Sequence, residues 1–205
     1  MDKYYIALNP EKKLTDLINH QKSTVREMVG DQTYLSHPPH FTLFMFTLNS
    51  PADIFNGLEK LVENMCKFKV GLENVHVFYN DLSTNANTLT YPVSNKSLEF
   101  LKELQSEVIN VVDPFNTKSI YKKEDETYKK MSGDEKLNVD LYGCPFVGNN
   151  WIPHITIASI EPSKFQVVFD KIRKDPCFGY FFIDSINLYK VGEKSSELIR
   201  SFELS

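Results

Sequence analysis

The chain has 205 residues, of which 41% are hydrophobic and 24% are charged, and its formal net charge is −4. This length and composition argue against a disordered chain and are sufficient for one domain with a buried core. The negative charge argues against binding to long DNA, and no apolar run approaches the roughly 20 residues of a membrane span. We therefore expect a protein that binds neither long DNA nor a membrane.

The cysteines and the N-terminus indicate the compartment. Cys66, Cys144 and Cys177 are odd in number and widely spaced, which matches neither a disulfide framework nor a zinc site. The first residues lack the apolar stretch of a signal peptide. We expect reduced thiols, no metal, no cofactor and a cytoplasmic protein, with the nucleus left open as a second location.

The hydrophobic pattern predicts strands that alternate with helices. Residues 31–39 are polar and contain prolines, which is typical of a loop. The predicted elements, in chain order, are a strand at 4–8, a helix that Gly30 ends, a strand at 40–48, a helix opening at Ser50-Pro51, strands near 69–79 and 88–93, a helix at 95–112, a strand at 154–158, a helix opening at Glu161-Pro162, and strands near 178–191 and 197–204.

The second half of the chain repeats the order of the first. Residues 72–78 match residues 183–189 in kind at every position, and the strands that begin at His40 and His154 have a similar offset. These matches predict a single domain over 1–205 with two pseudo-repeat lobes; the alternative is that strands simply look alike. Residues 113–150 fall outside the repeat, so they are predicted to form an inserted loop, either solvated and mobile or acting as a lid.

Two His-x-Thr motifs, one in each half, carry the chemistry. On a strand, residues two apart point to the same face, so His40 projects with Thr42, and His154 projects with Thr156. If the repeat brings the motifs into one cleft, one neutral imidazole can remove a proton while the opposite imidazolium protonates a leaving oxygen. The threonine hydroxyls can donate to phosphate oxygens, and no metal is needed.

Other side chains are weaker candidates. Trp151 and Tyr142 have rings that are suited to stacking on a base, although core packing is the alternative for Trp151. His37 lies in the predicted loop, next to Pro38 and Pro39, and no cluster of carboxylates accompanies it. This favours a loop residue over a metal ligand.

The sequence resembles the 2H phosphoesterase superfamily, whose mark is two His-x-Ser/Thr motifs flanked by apolar residues. The residues that carry the resemblance are Pro38-Pro39-His40-Phe41-Thr42-Leu43 and Trp151-Ile152-Pro153-His154-Ile155-Thr156-Ile157. The resemblance implies an α+β fold with two lobes related by a pseudo-twofold axis. In such a fold, two antiparallel sheets form a central cleft and the helices lie outside.

The resemblance and the paired motifs predict a metal-independent phosphodiesterase. Expected substrates are 2′,5′-linked oligonucleotides, 2′,3′-cyclic phosphates or cyclic dinucleotides, so the partner is a nucleotide, a cyclic nucleotide or a short oligonucleotide. We expect a monomer. Two alternatives remain open: a viral-type immune-evasion enzyme that degrades 2′,5′-oligoadenylate or cyclic-dinucleotide messengers, and a nucleotide- or RNA-binding module without turnover.

Overall fold

The fold is that of a computed structural model, which describes residues 1–81, 83–192 and 195–205. Strands and helices alternate, as the hydrophobic pattern predicts. The strands are β1 (Asp2–Pro10), β2 (Phe41–Leu48), β3 (Phe68–Leu72), β4 (His76–Asp81), β5 (Ala86–Pro92), β6 (His154–Ile160), β7 (Gly179–Val191) and β8 (Ser196–Glu203). The helices are α1 (Lys12–Val29), α2 (Phe55–Val62), α3 (Asn95–Val112), α4 (Glu126–Lys130), α5 (Gly133–Tyr142) and α6 (Pro162–Ile172), with short 3₁₀ turns at Pro51–Ile54 and Gly148–Asn150.

The strands form one eight-stranded antiparallel sheet whose two halves, one in each lobe, are joined by a single residue pair. The first lobe has the order β3-β7-β1-β2, with β8 also paired to β7, and the second has the order β6-β5-β4. The lobes meet where β2 pairs with β6 through Phe41 and Ile155. The helices pack against the strands, with α1 contacting β6 and α3 contacting β2. This is the predicted α+β architecture, in which α1 packs against the second motif strand and α3 packs against the first.

The two lobes share an irregularity at matching places. A β-bulge adds one residue, Leu43, to β2 opposite Ile6 and Ala7, and another adds Ile157 to β6 opposite Leu89 and Thr90. In both lobes the residue before the bulge is the threonine of a His-x-Thr motif, which pairs with Ala7 in the first lobe and with Thr90 in the second. Because a bulge bends its strand and increases the local twist, it re-aims the side chains beside it. Matching bulges therefore orient both motifs in the same way.

The predicted strand at 69–79 is wrong in one respect, because it is two strands. β3 pairs with β7 in the first lobe, whereas β4 pairs with β5 in the second, so the chain crosses between lobes at residues 73–75. The backbone N–H of Glu73 donates to the Pro92 carbonyl (2.8 Å), which supports the crossing. His76 pairs with Thr90 as Asn187 pairs with Ala7, so the 111-residue offset relates β4 to β7.

Residues 113–150 are not one long irregular loop, because they contain α4, α5 and the second 3₁₀ turn. α5 begins with a capping box, in which the Ser132 side chain accepts from the Glu135 N–H while the Glu135 carboxylate accepts from the Ser132 N–H. Met131, Val139 and Cys144 are buried, which ties the segment to the body of the protein. The helices were missed because this segment shows little apolar periodicity.

The buried core lies between the sheets and the helices. Phe41 and Ile155 are fully buried there, as are the apolar residues of α1 that recur at helical spacing, such as Leu14, Ile18 and Val25. The opposite face of the sheets carries the His-x-Thr side chains. Among the helices of the described residues, none is both long enough and apolar enough to cross a membrane.

Candidate active site

The junction of the two lobes brings both His-x-Thr motifs together. His40 directly precedes β2, and His154 opens β6. Since Phe41 pairs with Ile155 in antiparallel register, His40 lies beside Thr156 and Thr42 lies beside His154. Phe41 and Ile155 point into the core, so these four side chains share the other face, where each is partly exposed.

The register places the two histidines diagonally across the junction. Diagonal neighbours on paired antiparallel strands have their Cα atoms roughly 7–8 Å apart, so both rings border the same part of the cleft. Each histidine therefore has the threonine of the other motif as its cross-strand neighbour. The geometry joins all four predicted residues in one site.

Both imidazoles are held in the same orientation by a carbonyl two residues upstream. Nδ1 of His40 contacts the Pro38 carbonyl at 2.7 Å, and Nδ1 of His154 contacts the Ile152 carbonyl at 2.7 Å. A carbonyl oxygen can only accept, so Nδ1 carries the hydrogen in both rings. Nε2 is thereby left for the cleft, where it accepts a proton when the ring is neutral and donates one when it is charged.

The surroundings of His40 are aromatic. Its ring stacks on Tyr5 with centroids 5.0 Å apart, and Tyr5 in turn stacks on Tyr189 at 5.0 Å. The Tyr189 hydroxyl accepts from Asn9 Nδ2 (2.8 Å) and from Asn187 Nδ2 (3.3 Å). Tyr5 and Tyr189 form a small apolar cluster separate from the main core, which supports the His40 ring from one side.

The surroundings of His154 are richer in hydroxyl and carboxyl groups. The ring lies 5.0 Å from Phe78 on β4. Further along the same lobe, Thr88 Oγ1 contacts Asp81 Oδ2 (2.7 Å) and Ser159 Oγ (2.9 Å), and Asp81 Oδ1 accepts from a backbone N–H at 2.9 Å. The two halves of the site therefore match in backbone geometry but differ in their side chains.

Burial controls the charge of both imidazoles. It lowers the pKa of His40 to about 4 and also lowers the pKa of His154 below its ordinary value. The hydrogen bonds to the Pro38 and Ile152 carbonyls act in the opposite direction, because they favour the charged ring. Both rings are consequently largely neutral at pH 7 in the free protein, and an anionic phosphate between them would favour protonation.

The stacking role predicted for Trp151 does not fit its position. Its side chain is 6% exposed and belongs to the main core, and its Nε1–H donates to the Thr42 carbonyl at 3.2 Å. Both ring and polar atom are therefore used inside the protein, and the core-packing alternative applies. Trp151 instead links the segment before the second motif to the strand of the first.

Tyr142, the other predicted stacking residue, is the last residue of α5. Its ring is partly buried against the main core, and its backbone carbonyl accepts from Asn116 Nδ2 at 2.7 Å. No ring contact joins it to either histidine among the described residues. Its stacking role stays a prediction.

Four residues around the two histidines were missed by sequence reasoning. They come from strands far along the chain from the motifs, so no local pattern marks them; they are Tyr5, Tyr189, Phe78 and Asp81.

Across the described ranges, His, Cys, Asp and Glu side chains form no group of three or more that could hold a metal ion.

Comparison with known proteins supplies the family. The model of the 2′-5′ RNA ligase superfamily matches residues 14–194, which is most of the chain. The chain therefore belongs to the 2′-5′ RNA ligase superfamily of 2H phosphoesterases, as the two motifs indicated. Membership implies an enzyme that cleaves or forms phosphodiesters. No curated protein matches the sequence.

Solved structures share the fold at low identity. TT0787 of Thermus thermophilus has a TM-score of 0.61 and 14% identity, over 98% of this chain and 97% of that chain. E. coli LigT complexed with 3′-AMP has a TM-score of 0.51 and 14% identity, over 100% and 98%. Kluyveromyces marxianus Usb1 has a TM-score of 0.50 and 13% identity, over 99% and 98%. At these identities the matches establish the fold alone.

Proposed function

We propose that the protein is a metal-independent phosphodiesterase that cleaves 2′-linked phosphodiesters by general acid and base catalysis. The observation that carries the proposal is the pairing of Phe41 with Ile155, which sets His40 and His154 on one face. The Nδ1 contacts to backbone carbonyls then direct both Nε2 atoms to the cleft.

The chemistry needs two proton transfers. Nε2 of the neutral histidine takes the proton of the attacking hydroxyl, from water or from the sugar, as the new P–O bond forms. Nε2 of the charged histidine gives its proton to the leaving oxygen as the old P–O bond breaks. Thr42 and Thr156 donate hydrogen bonds to the non-bridging oxygens, on which charge develops in the transition state.

The substrate class rests on the family and on the ligands of one structural neighbour. E. coli LigT has been solved with 3′-AMP, with ATP, with NADP+ and with phosphate. A site that faces one phosphate from two sides suits 2′,5′-linked oligonucleotides, 2′,3′-cyclic phosphates and cyclic dinucleotides. Because one chain supplies both motifs, we propose that the protein acts as a monomer.

A substrate panel tests the proposal. Purified protein is incubated with a 2′,5′-linked dinucleotide, its 3′,5′ isomer, a 2′,3′-cyclic nucleotide and a cyclic dinucleotide, each with and without a strong chelator. We expect cleavage of at least one 2′-linked substrate at a rate that the chelator does not change. Binding of these nucleotides without turnover would instead support a binding module, and loss of activity in chelator that a divalent ion restores would contradict the metal-independent mechanism.

The threonines provide a smaller effect. Thr42→Ala and Thr156→Ala are each expected to lower kcat/KM by roughly 10- to 150-fold, since a hydrogen bond to a charged group contributes about 1.5–3 kcal/mol. Thr42→Ser and Thr156→Ser are the matched controls, because they keep the hydroxyl and are expected to retain most of the activity. Steady-state kinetics would refute the phosphate-binding role if alanine and serine variants behaved alike.

A further inference from the structure

The two histidines have matching backbone geometry, so the groups behind them decide whether they are equivalent. Each His-x-Thr motif is preceded by a segment that one buried polar side chain of a helix holds in place. Lys22 of α1 and Gln105 of α3 occupy these positions, and both are buried (3% and 1% exposed). Their separation of 83 residues equals that of Ala7 and Thr90, the residues that pair with the two motif threonines.

Lys22 holds the segment before the first motif. Its Nζ donates to the Tyr34 carbonyl (2.8 Å) and to the His37 carbonyl (2.7 Å), and the next residue along, Pro38, supplies the carbonyl that orients His40. Among the described residues, no carboxylate forms a salt bridge with Lys22. Burial lowers the pKa of Lys22 to about 8, with Arg26 on the same helix adding to the effect, so the amine is still mostly charged at pH 7.

Gln105 occupies the matching position in the second lobe and forms similar hydrogen bonds, but its side chain is uncharged. Its Nε2 donates to the Leu43 carbonyl (2.8 Å) and to the Phe146 carbonyl (3.1 Å), while its Oε1 accepts from the Gly148 N–H (3.0 Å). These bonds hold the segment that leads to the second motif. The pseudo-twofold therefore relates a buried cation in one lobe to a neutral amide in the other.

The charged and titratable groups around His40 also differ from those around His154. Beyond burial and the backbone hydrogen bond, the groups that act on His40 are Lys22, His37 and His154, all of which lower its pKa. The groups that act on His154 are Asp81, which raises its pKa, and His76, which lowers it. Burial raises the pKa of Tyr5, which stacks on His40, to about 12, so that ring is neutral at pH 7, and Phe78 beside His154 cannot ionise.

We propose that Lys22 and Asp81 are positioning residues that make the two histidines unequal, so that His40 is the general base and His154 the general acid. This inference rests on the proposed function. His40 Nε2 takes the proton of the attacking hydroxyl as the new P–O bond forms. His154 Nε2 protonates the oxygen that leaves as the old P–O bond breaks. The site is left with a charged His40 and a neutral His154, and exchange with solvent resets both.

The first test needs no substrate. NMR titration of the histidine rings is recorded for the parent protein, Lys22→Met, Lys22→Arg and Asp81→Asn, with Lys12→Met on the exposed face of α1 as the control for a lost lysine. We expect Lys22→Met to raise the midpoint of His40 by about one pH unit and to leave that of His154 in place. Lys22→Arg and Lys12→Met should keep the His40 midpoint low, and Asp81→Asn should lower the midpoint of His154.

Several results would overturn the inference. They are a His40 midpoint that does not respond to Lys22→Met, one that rises equally in Lys22→Arg, or a parent protein in which His154 loses its proton before His40. If Lys22→Met does not fold, the parent order of titration and Asp81→Asn still decide the matter.

The second test uses a leaving group that needs no proton. A nucleoside 2′-(p-nitrophenyl phosphate) is compared with a 2′,5′-linked dinucleotide in His40→Ala and His154→Ala. We expect His154→Ala to recover most of its lost activity on the nitrophenyl substrate, whereas His40→Ala stays impaired on both. Recovery by His40→Ala instead would reverse the assignment. Absence of turnover by the parent enzyme on both substrates would count against the proposed function, and the titration would still decide whether Lys22 and Asp81 make the rings unequal.

Discussion

Alanine at His40 or at His154 is expected to lower kcat/KM for a 2′-linked substrate by about 10²- to 10⁴-fold in each case. That range is typical of a lost general acid or base. In the proposed mechanism the two rings act in one concerted step across the pairing of Phe41 with Ile155, so their effects should not be additive. The double variant is therefore expected to be little worse than the weaker of the two single variants.

The control for these variants is the fold. Both rings are partly exposed and lie on the face opposite the main core, so their removal should leave the circular dichroism spectrum and the unfolding midpoint close to those of the parent protein. His20, an exposed residue of α1, provides a matched His→Ala substitution that should retain full activity. Losses that multiply in the double variant would show that the two histidines serve independent steps.

Trp151→Ala is expected to lower the free energy of unfolding by about 3–5 kcal/mol, since it leaves a large cavity in the core. It also removes the donor to the Thr42 carbonyl, so activity should fall as the strand of the first motif loosens. Trp151→Phe keeps most of the packing and should cost about 1 kcal/mol for the lost hydrogen bond. Chemical denaturation of the parent protein, Trp151→Ala and Trp151→Phe measures the loss of stability in each variant.

A stacking role for Trp151 would give a different pattern. The substrate KM would then rise in Trp151→Ala while stability stayed near that of the parent protein. Trp151 is the one tryptophan of the sequence, so its fluorescence reports its environment directly. We expect weak quenching by acrylamide and little change on adding substrate, because the side chain is 6% exposed.

The sequence was informative where function depends on local periodicity. The alternation of His40-Phe41-Thr42 placed histidine and threonine on one face and phenylalanine on the other, which is how the structure arranges them. Helical spacing in α1 and α3 and the alternating strands predicted the order of the elements, and the two motifs carried the resemblance that implied the α+β architecture. These features need only neighbouring residues to be interpreted.

Features that depend on distant residues could not be predicted in the same way. The stacking of Tyr5 on Tyr189 joins the first strand to the seventh. The crossing at residues 73–75 has no glycine or proline, so the sequence there resembles one continuous strand although the chain passes from one lobe to the other. Neither the pairing of β3 with β7 nor that of β4 with β5 can be derived from local propensity.

Two features of the sequence indicate parts of the structure that we did not predict. Ser132 and Glu135 have the spacing of a capping box, which would have indicated α5 inside the predicted loop. Lys22 interrupts the apolar face that Ile18 and Val25 define on α1. A lysine at a core position needs buried acceptors, and this one finds them in the segment before the first motif.

The most direct measurement of the central claim compares the parent enzyme with His154→Ala on a 2′,5′-linked dinucleotide in the presence of a strong chelator. We predict that the parent enzyme cleaves the dinucleotide at the same rate with and without chelator. We predict that the folded variant is at least about 100-fold slower. Activity of the variant within a few-fold of the parent would remove His154 from the mechanism and contradict the two-histidine account.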